Sequence, residues 1–115
     1  MLDPAKIKMF REKLLTLRSE LVALSEASQD GRKPVTLDQQ SVGRLSRMDA
    51  LQSQAMQLET ERRRQISLLR IDTALARMDD EEFGYCIACG DEMDLRRLEH
   101  DPSVTTCVQC ARKGP

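Results

Sequence analysis

The chain has no tryptophan, one tyrosine and two phenylalanines among its 115 residues. A core of ordinary depth draws on more large aromatics, so this scarcity favours Leu, Ile and Met seams between helices. Glycine and proline are also few, five and four, which argues against a many-turned all-β domain or a long disordered tail. No apolar run approaches the ~18 residues that cross a bilayer. The opening MLDPAKIKMF lacks the apolar stretch of a signal peptide. A cytoplasmic protein that does not engage a membrane is the expectation. There is one histidine, no Ser/His/Asp or Cys/His set, no phosphate-cradling glycine loop and no placeable carboxylate pair, so an enzyme is not expected.

What is present is charge, and it is unevenly spread. Residues 1–40 hold 7 basic and 6 acidic groups, residues 41–78 hold 7 and 4, and residues 79–115 hold 4 and 9. The net of −1 therefore conceals a segment at −5, and that segment also contains all four cysteines.

The first helix is legible from its start. Asp3 is a good N-cap and Pro4 loses no needed hydrogen bond at the first helical position. Ile7, Phe10, Leu14, Leu17, Leu21 and Leu24 follow at spacings of 3, 4, 3, 4 and 3, the a/d seam of a coiled coil. The seam stops near Ser28, and Gln29-Asp30-Gly31-Arg32-Lys33-Pro34 reads as a break. A second helix begins between Thr36 and Val42, with Thr36 and Gln39 placed as a capping box. Met48, Leu51, Ala55 and Leu58 keep the spacing. The polar run Glu59–Gln65 interrupts it, with Glu59–Arg63 and Glu61–Arg64 spaced as helical ion pairs. Leu68, Ile71, Leu75 and Met78 resume it in a shifted phase.

A second helix of roughly 40 residues would be about 60 Å long, whereas a compact chain of this length is about 35 Å across, with a radius of gyration near 13 Å. The expected architecture is therefore mainly α: an antiparallel helical hairpin over residues 1–82, its tip near 30–45, and a small C-terminal module over residues 83–115. The acidic run Asp79–Glu82 opposes the helix dipole and marks the end of the hairpin.

Cys86, Cys89, Cys107 and Cys110 form C-x2-C-x17-C-x2-C, within the window of four-cysteine zinc sites. Each two-residue gap lets a pair of thiolates face one ion, and two pairs complete a tetrahedron. Gly90 suits the tight turn that aims backbone N–H groups at sulfur. Two disulfides would need an oxidising compartment, and a redox pair would expect a βαβ pattern. One structural Zn2+ is the favoured reading. A closed four-thiolate shell leaves no position for substrate, and a module with two aromatics needs the metal to fold. His100 reads as a surface or turn residue.

Three function classes were weighed. A zinc finger that binds nucleic acid would need a basic footprint. The net charge of −5 over residues 79–115 becomes about −7 once four thiolates and one Zn2+ are counted. Arg62-Arg63-Arg64 is the best basic cluster, but consecutive helical residues fan around the axis. Direct sequence-specific DNA binding is not expected. The second class, an enzyme, lacks its residues. A protein-binding regulator or interaction adaptor, with a projecting coiled coil on a zinc-stapled base, fits best.

The segment EEFGYCIACGDEMDLRRLEHDPSVTTCVQC resembles the zinc finger of the DksA/TraR family, the DnaK-suppressor proteins. The match lies in FGYC..CG at Phe83–Gly90, RRLE at Arg96–Glu99, Pro102 and the Cys107/Cys110 pair. The resemblance implies a transcription regulator that binds RNA polymerase through its secondary channel, the coiled-coil tip approaching the active site. A monomer is favoured, with a dimer through the part of the second helix's seam that the first helix is too short to cover as the alternative. Some members act with ppGpp at the polymerase interface. Family members carry two acidic residues and an Ala at the tip. That motif falls near Gly43–Met48, where this chain has Arg44 and Arg47 and no acid, with Asp38 and Asp49 flanking. Asp38, Arg44, Arg47 and Asp49 are the candidate partner contacts; for the two arginines a solvent-facing helix is the competing reading.

Overall fold

The computed structural model describes residues 2–32 and 44–114. Helix α1 spans Pro4–Ala27, a single turn α2 spans Gln29–Arg32, and the long helix α3 spans Arg44–Asp79. Two short helices, α4 (Leu95–His100) and α5 (Val108–Lys113), belong to the C-terminal segment. The start of α1 follows from its sequence: Asp3 Oδ1 accepts from the Lys6 N–H at 2.8 Å, and Pro4 sits at the helix entry. The long helix ends in a Schellman arrangement. The Glu82 N–H reaches the Arg77 carbonyl at 2.8 Å, the Glu81 N–H reaches Met78 at 3.2 Å, and Glu81 takes the left-handed conformation at φ 60°.

Helices α1 and α3 run antiparallel. Arg11 pairs with Asp79 at 3.1 Å and Arg18 with Asp72 at 2.8 Å. These pairs step by one heptad along each helix, as in a two-stranded coiled coil. The molecule measures 64 × 30 × 20 Å with a radius of gyration of 19.4 Å, against about 13 Å for a compact chain of this length. The expected projecting hairpin is therefore observed.

The core sits at one end of that rod. Phe10 and Leu14 from α1 and Ile71, Ala74 and Met78 from α3 bury against Phe83, Cys86, Met93 and Leu98. The Phe10 and Phe83 rings lie 5.8 Å apart, tilted by 50°, a favourable aromatic geometry. Hairpin base and finger thus share one apolar cluster. Lys13 Nζ adds a bond to the Glu99 carbonyl at 2.8 Å, tying α1 to α4.

One expectation changes. The segment Gln29–Arg32, read as a break, forms a helical turn; Arg32 ties it back to the end of α1 by donating to the Ser25 carbonyl at 2.9 Å. The α3 helix described has 36 residues, about 54 Å; the expected start between Thr36 and Val42 lies outside the described residues. The apolar seam also fades away from the base: Leu24 is 52% exposed, Met48 57%, Leu51 50% and Leu58 50%. The reason is length. Helix α1 stops at Ala27, level with Arg64, whose guanidinium meets Ser28 Oγ at 3.0 Å. Among the described residues only α2 lies against α3 beyond that level.

Candidate metal centre

The C-terminal segment is built to present sulfur. Tyr85 and Glu92 form an antiparallel bridge, with the Cys86 N–H bonded to Asp91 O at 2.9 Å and the Met93 N–H to Gly84 O at 2.8 Å. Gly84 has φ 96°, and a Cβ there would stand 3.1 Å from Leu2 Cδ1, so both backbone and packing call for glycine. Gly90, at φ 78°, closes the first knuckle. Its N–H goes to the Cys86 carbonyl at 2.9 Å, whereas the sequence suggested sulfur as the acceptor of this turn. The Ala88 N–H takes that role, 3.4 Å from Cys86 Sγ.

The second knuckle opens α5. Cys107 is its N-cap, and Cys107 Sγ accepts from the Cys110 N–H at 3.5 Å. One backbone bond docks the knuckles together, the Ile87 N–H donating to Thr105 O at 2.9 Å, and the Arg97 side chain of α4 braces the second, its Nε donating to Thr106 O at 2.9 Å. Arg77 braces the approach from α3, its guanidinium meeting the Glu82 and Tyr85 carbonyls at 3.0 and 2.7 Å.

These elements bring the four sulfurs of Cys86, Cys89, Cys107 and Cys110 within 4.8 Å of one another. The Cys89–Cys107 separation is 3.8 Å. A tetrahedral site with ~2.3 Å metal–sulfur bonds has edges of about 3.8 Å, whereas a disulfide needs ~2.05 Å. The thiols are all free, and the group could hold one metal ion. Among the described residues no other cluster of His, Cys, Asp or Glu has this property.

The electrostatics point the same way. The Cys86 thiol is held down to about 6 by the backbone N–H groups of Cys107 and Cys89. The Cys110 thiol is pushed up to about 12 by the neighbouring Cys107 and Cys86 side chains, with burial adding to the effect. The frame welcomes a first thiolate and resists the last. A divalent cation among the sulfurs removes that conflict, because its charge favours every thiolate at once.

The comparisons follow this geometry. The chain is 38% identical over 56 residues to "RNA polymerase-binding transcription factor DksA" of Haemophilus influenzae and 40% identical over 56 residues to the Escherichia coli K12 protein of that name. Those matches cover 49% of this chain but only 39% and 37% of the two relatives. The chain thus spans about two-fifths of the curated relatives it matches at that identity. The DksA of Caulobacter vibrioides is 26% identical over 112 residues, covering 97% of this chain and 78% of that protein. The solved structure of transcription factor DksA2 from Pseudomonas aeruginosa superposes with a TM-score of 0.76 at 28% identity, over 96% of this chain and 84% of that one.

The chain is similar to DksA proteins in sequence and in fold, which supports a DksA/TraR assignment. No family model matches it, so the assignment rests on these relatives and on the shared fold. No helix among the described residues is long and apolar enough to cross a membrane.

The remaining residues singled out in the sequence lie away from the sulfurs. Arg44 opens α3, Arg47 is half-buried and Asp49 exposed in its first turns, and Asp38 lies outside the described residues. His100 ends α4 and is exposed. Arg62 and Arg63 are solvent-facing around Glu59, whose carboxyl Arg62 and then Arg63 hold down to about 2 against partial desolvation. Arg64 instead turns inward onto Glu61 at 3.4 Å. The sequence pass missed Ser25, Arg32 and the cross-helix role of Glu61. The one available signal was a charged pair facing the point where the apolar seam of α1 ends.

Proposed function

We propose that this chain is a non-enzymatic, cytoplasmic transcription regulator that binds RNA polymerase directly as a monomer. Residues 1–82 serve as the probe and residues 83–115 as its anchor. The observation that carries this reading is near-full-length similarity, in sequence and in shape, to proteins whose names state that activity or class. One structural zinc ion held by Cys86, Cys89, Cys107 and Cys110 stiffens the anchor. The donor set of four sulfurs with tetrahedral spacing suits zinc, and all coordination positions are filled by protein, so the ion's part is to hold the fold.

The shape supports entry into the polymerase secondary channel. A rod 64 Å long and 30 × 20 Å across reaches where a globule of equal mass stops. The charge supports a protein partner over nucleic acid, because residues 79–115, the finger with the acidic run that leads into it, have 9 acidic and 4 basic groups and phosphate binding needs the opposite. Asp38, Arg44, Arg47 and Asp49 are the proposed contacts at the far end, where this chain lacks the family's acidic tip. The polymerase interface is also where ppGpp would act.

The test is site-specific photocrosslinking from positions 38–49 onto RNA polymerase, with transcription measured with and without ppGpp. Crosslinks to the lining of the secondary channel are expected, and no retention on free duplex DNA. Crosslinks elsewhere on the enzyme, or tight salt-steep binding to duplex alone, would overturn the reading.

A further inference from the structure

Where the leucine seam runs out, the hairpin changes its fastening. Glu61 stands between α1 and α3 with its side chain only 14% exposed. One carboxylate oxygen accepts from Ser25 Oγ and from Gln65 Nε2, both at 2.7 Å. The other faces Arg32 at 3.2 Å and Arg64 at 3.4 Å. Arg32 also donates to the Ser25 carbonyl at 2.9 Å and to Ser28 Oγ, and Arg64 reaches Ser28 Oγ at 3.0 Å. A carboxylate has about four acceptor positions; Ser25 of α1 and Gln65 and Arg64 of α3 donate to it, and Arg32 of α2 adds its charge beside it. The two guanidiniums are each 18% exposed and carry two positive charges toward one negative group. Without that carboxylate they would face each other in a half-dry site.

We propose that Glu61 is a positioning residue. Through Ser25, Arg32 and Arg64 it ties the turn α2 to α3, and so fixes where α2 sits on the hairpin, the last described turn before the segment that carries Asp38. The inference rests on the polymerase-binding reading above. It assigns the aim of the probe to one polar lock, separate from the apolar core at the base. The exposures of Leu24 and Leu58, 52% and 50%, support that division, since these leucines bury too little to hold α2 in place.

The test uses the full-length, zinc-loaded protein and the near-isosteric Glu61→Gln. Hydrogen exchange is measured at the amides of 28–32 and of 71–78. In the variant the first group should exchange about tenfold faster, equivalent to 1.4 kcal/mol, with the second group unchanged. In parallel, a photoreactive residue at position 38 is crosslinked to RNA polymerase at saturating protein. The parent should give a narrow set of crosslinks. Glu61→Gln should give a dispersed set at the same bound fraction, whereas general destabilisation would lower the bound fraction instead. Unchanged exchange at 28–32, or an equally narrow crosslink set in both proteins, overturns the proposal. If the parent itself fails to crosslink while the exchange difference holds, the lock stands as a feature of the hairpin and the polymerase reading falls.

Discussion

Replacing Phe10 by alanine probes whether hairpin and finger are one folding unit. Phe10 is 1% exposed and lies ring against ring with Phe83 at 5.8 Å. Truncating a phenylalanine so buried costs about 3–5 kcal/mol, the sum of lost transfer energy and the cavity left behind. The tilted aromatic pair should account for about 1 kcal/mol of this. At roughly 4 °C per kcal/mol for a chain of this length, the melting temperature should fall by about 12–20 °C. The assay is thermal and urea unfolding of the zinc-loaded protein, followed by helical circular dichroism. Phe10→Ala, Phe83→Ala and the double variant complete a cycle whose coupling term should be about 1 kcal/mol. Met9→Ala, at a neighbouring exposed position, serves as a control and should stay within about 0.5 kcal/mol. Because Cys86 belongs to the same buried cluster, Phe10→Ala should also weaken metal retention in competition with a chelator. A loss below about 1 kcal/mol, or unchanged metal retention, would refute the shared core.

Three further outcomes are expected. Metal analysis after gentle purification should find one zinc per chain, and chelation should abolish amide protection from Phe83 to Cys110; an apo form that keeps that protection would remove the metal from the fold. The Glu61 carboxyl is lowered from its ordinary 4.5, chiefly by the Ser25 hydroxyl and then by Gln65, Arg32 and Arg64. Its contribution is therefore full above about pH 4.5 and is lost as pH falls through the depressed folded value. Amide exchange at 28–32, corrected for intrinsic rate, should accelerate over that range in the parent and be pH-independent in Glu61→Gln. Finally, Gly84→Ala should destabilise by about 1–3 kcal/mol, because φ is 96° and the added methyl meets Leu2. Chemical denaturation measures it, and a neutral result would show that Leu2 and the backbone yield freely.

Local signals carried much of this molecule. Asp3 and Pro4 announce α1, the spacing from Phe10 to Leu14 announces its buried face, and Ile71 and Met78 announce that of α3, because each is decided within one or two helical turns. The cysteine spacing likewise announces a four-sulfur site, since ligand geometry restricts the gap inside each knuckle. The Glu59–Arg63 and Glu61–Arg64 pairs formed as spaced, at 3.2 and 3.4 Å. Other features depend on register between segments far apart in the chain. That Met48, Leu51 and Leu58 stay exposed follows from where α1 stops, which their own spacing cannot express. That Gln29–Arg32 is a helical turn depends on Glu61 arriving opposite it.

By itself, then, the sequence determined the two long helices, the sulfur quartet and the acidic boundary between them, since caps, heptads and C-x2-C gaps act over a few residues. Only the tertiary structure decided that Cys86 joins the core of the hairpin base, that Arg77 and Arg97 brace the knuckles through backbone carbonyls, and that Ser25, Arg32 and Arg64 converge on Glu61. Tertiary contacts of this kind join residues up to 86 positions apart, as in the Lys13–Glu99 bond. Their formation depends on how the helices align once their apolar faces have met.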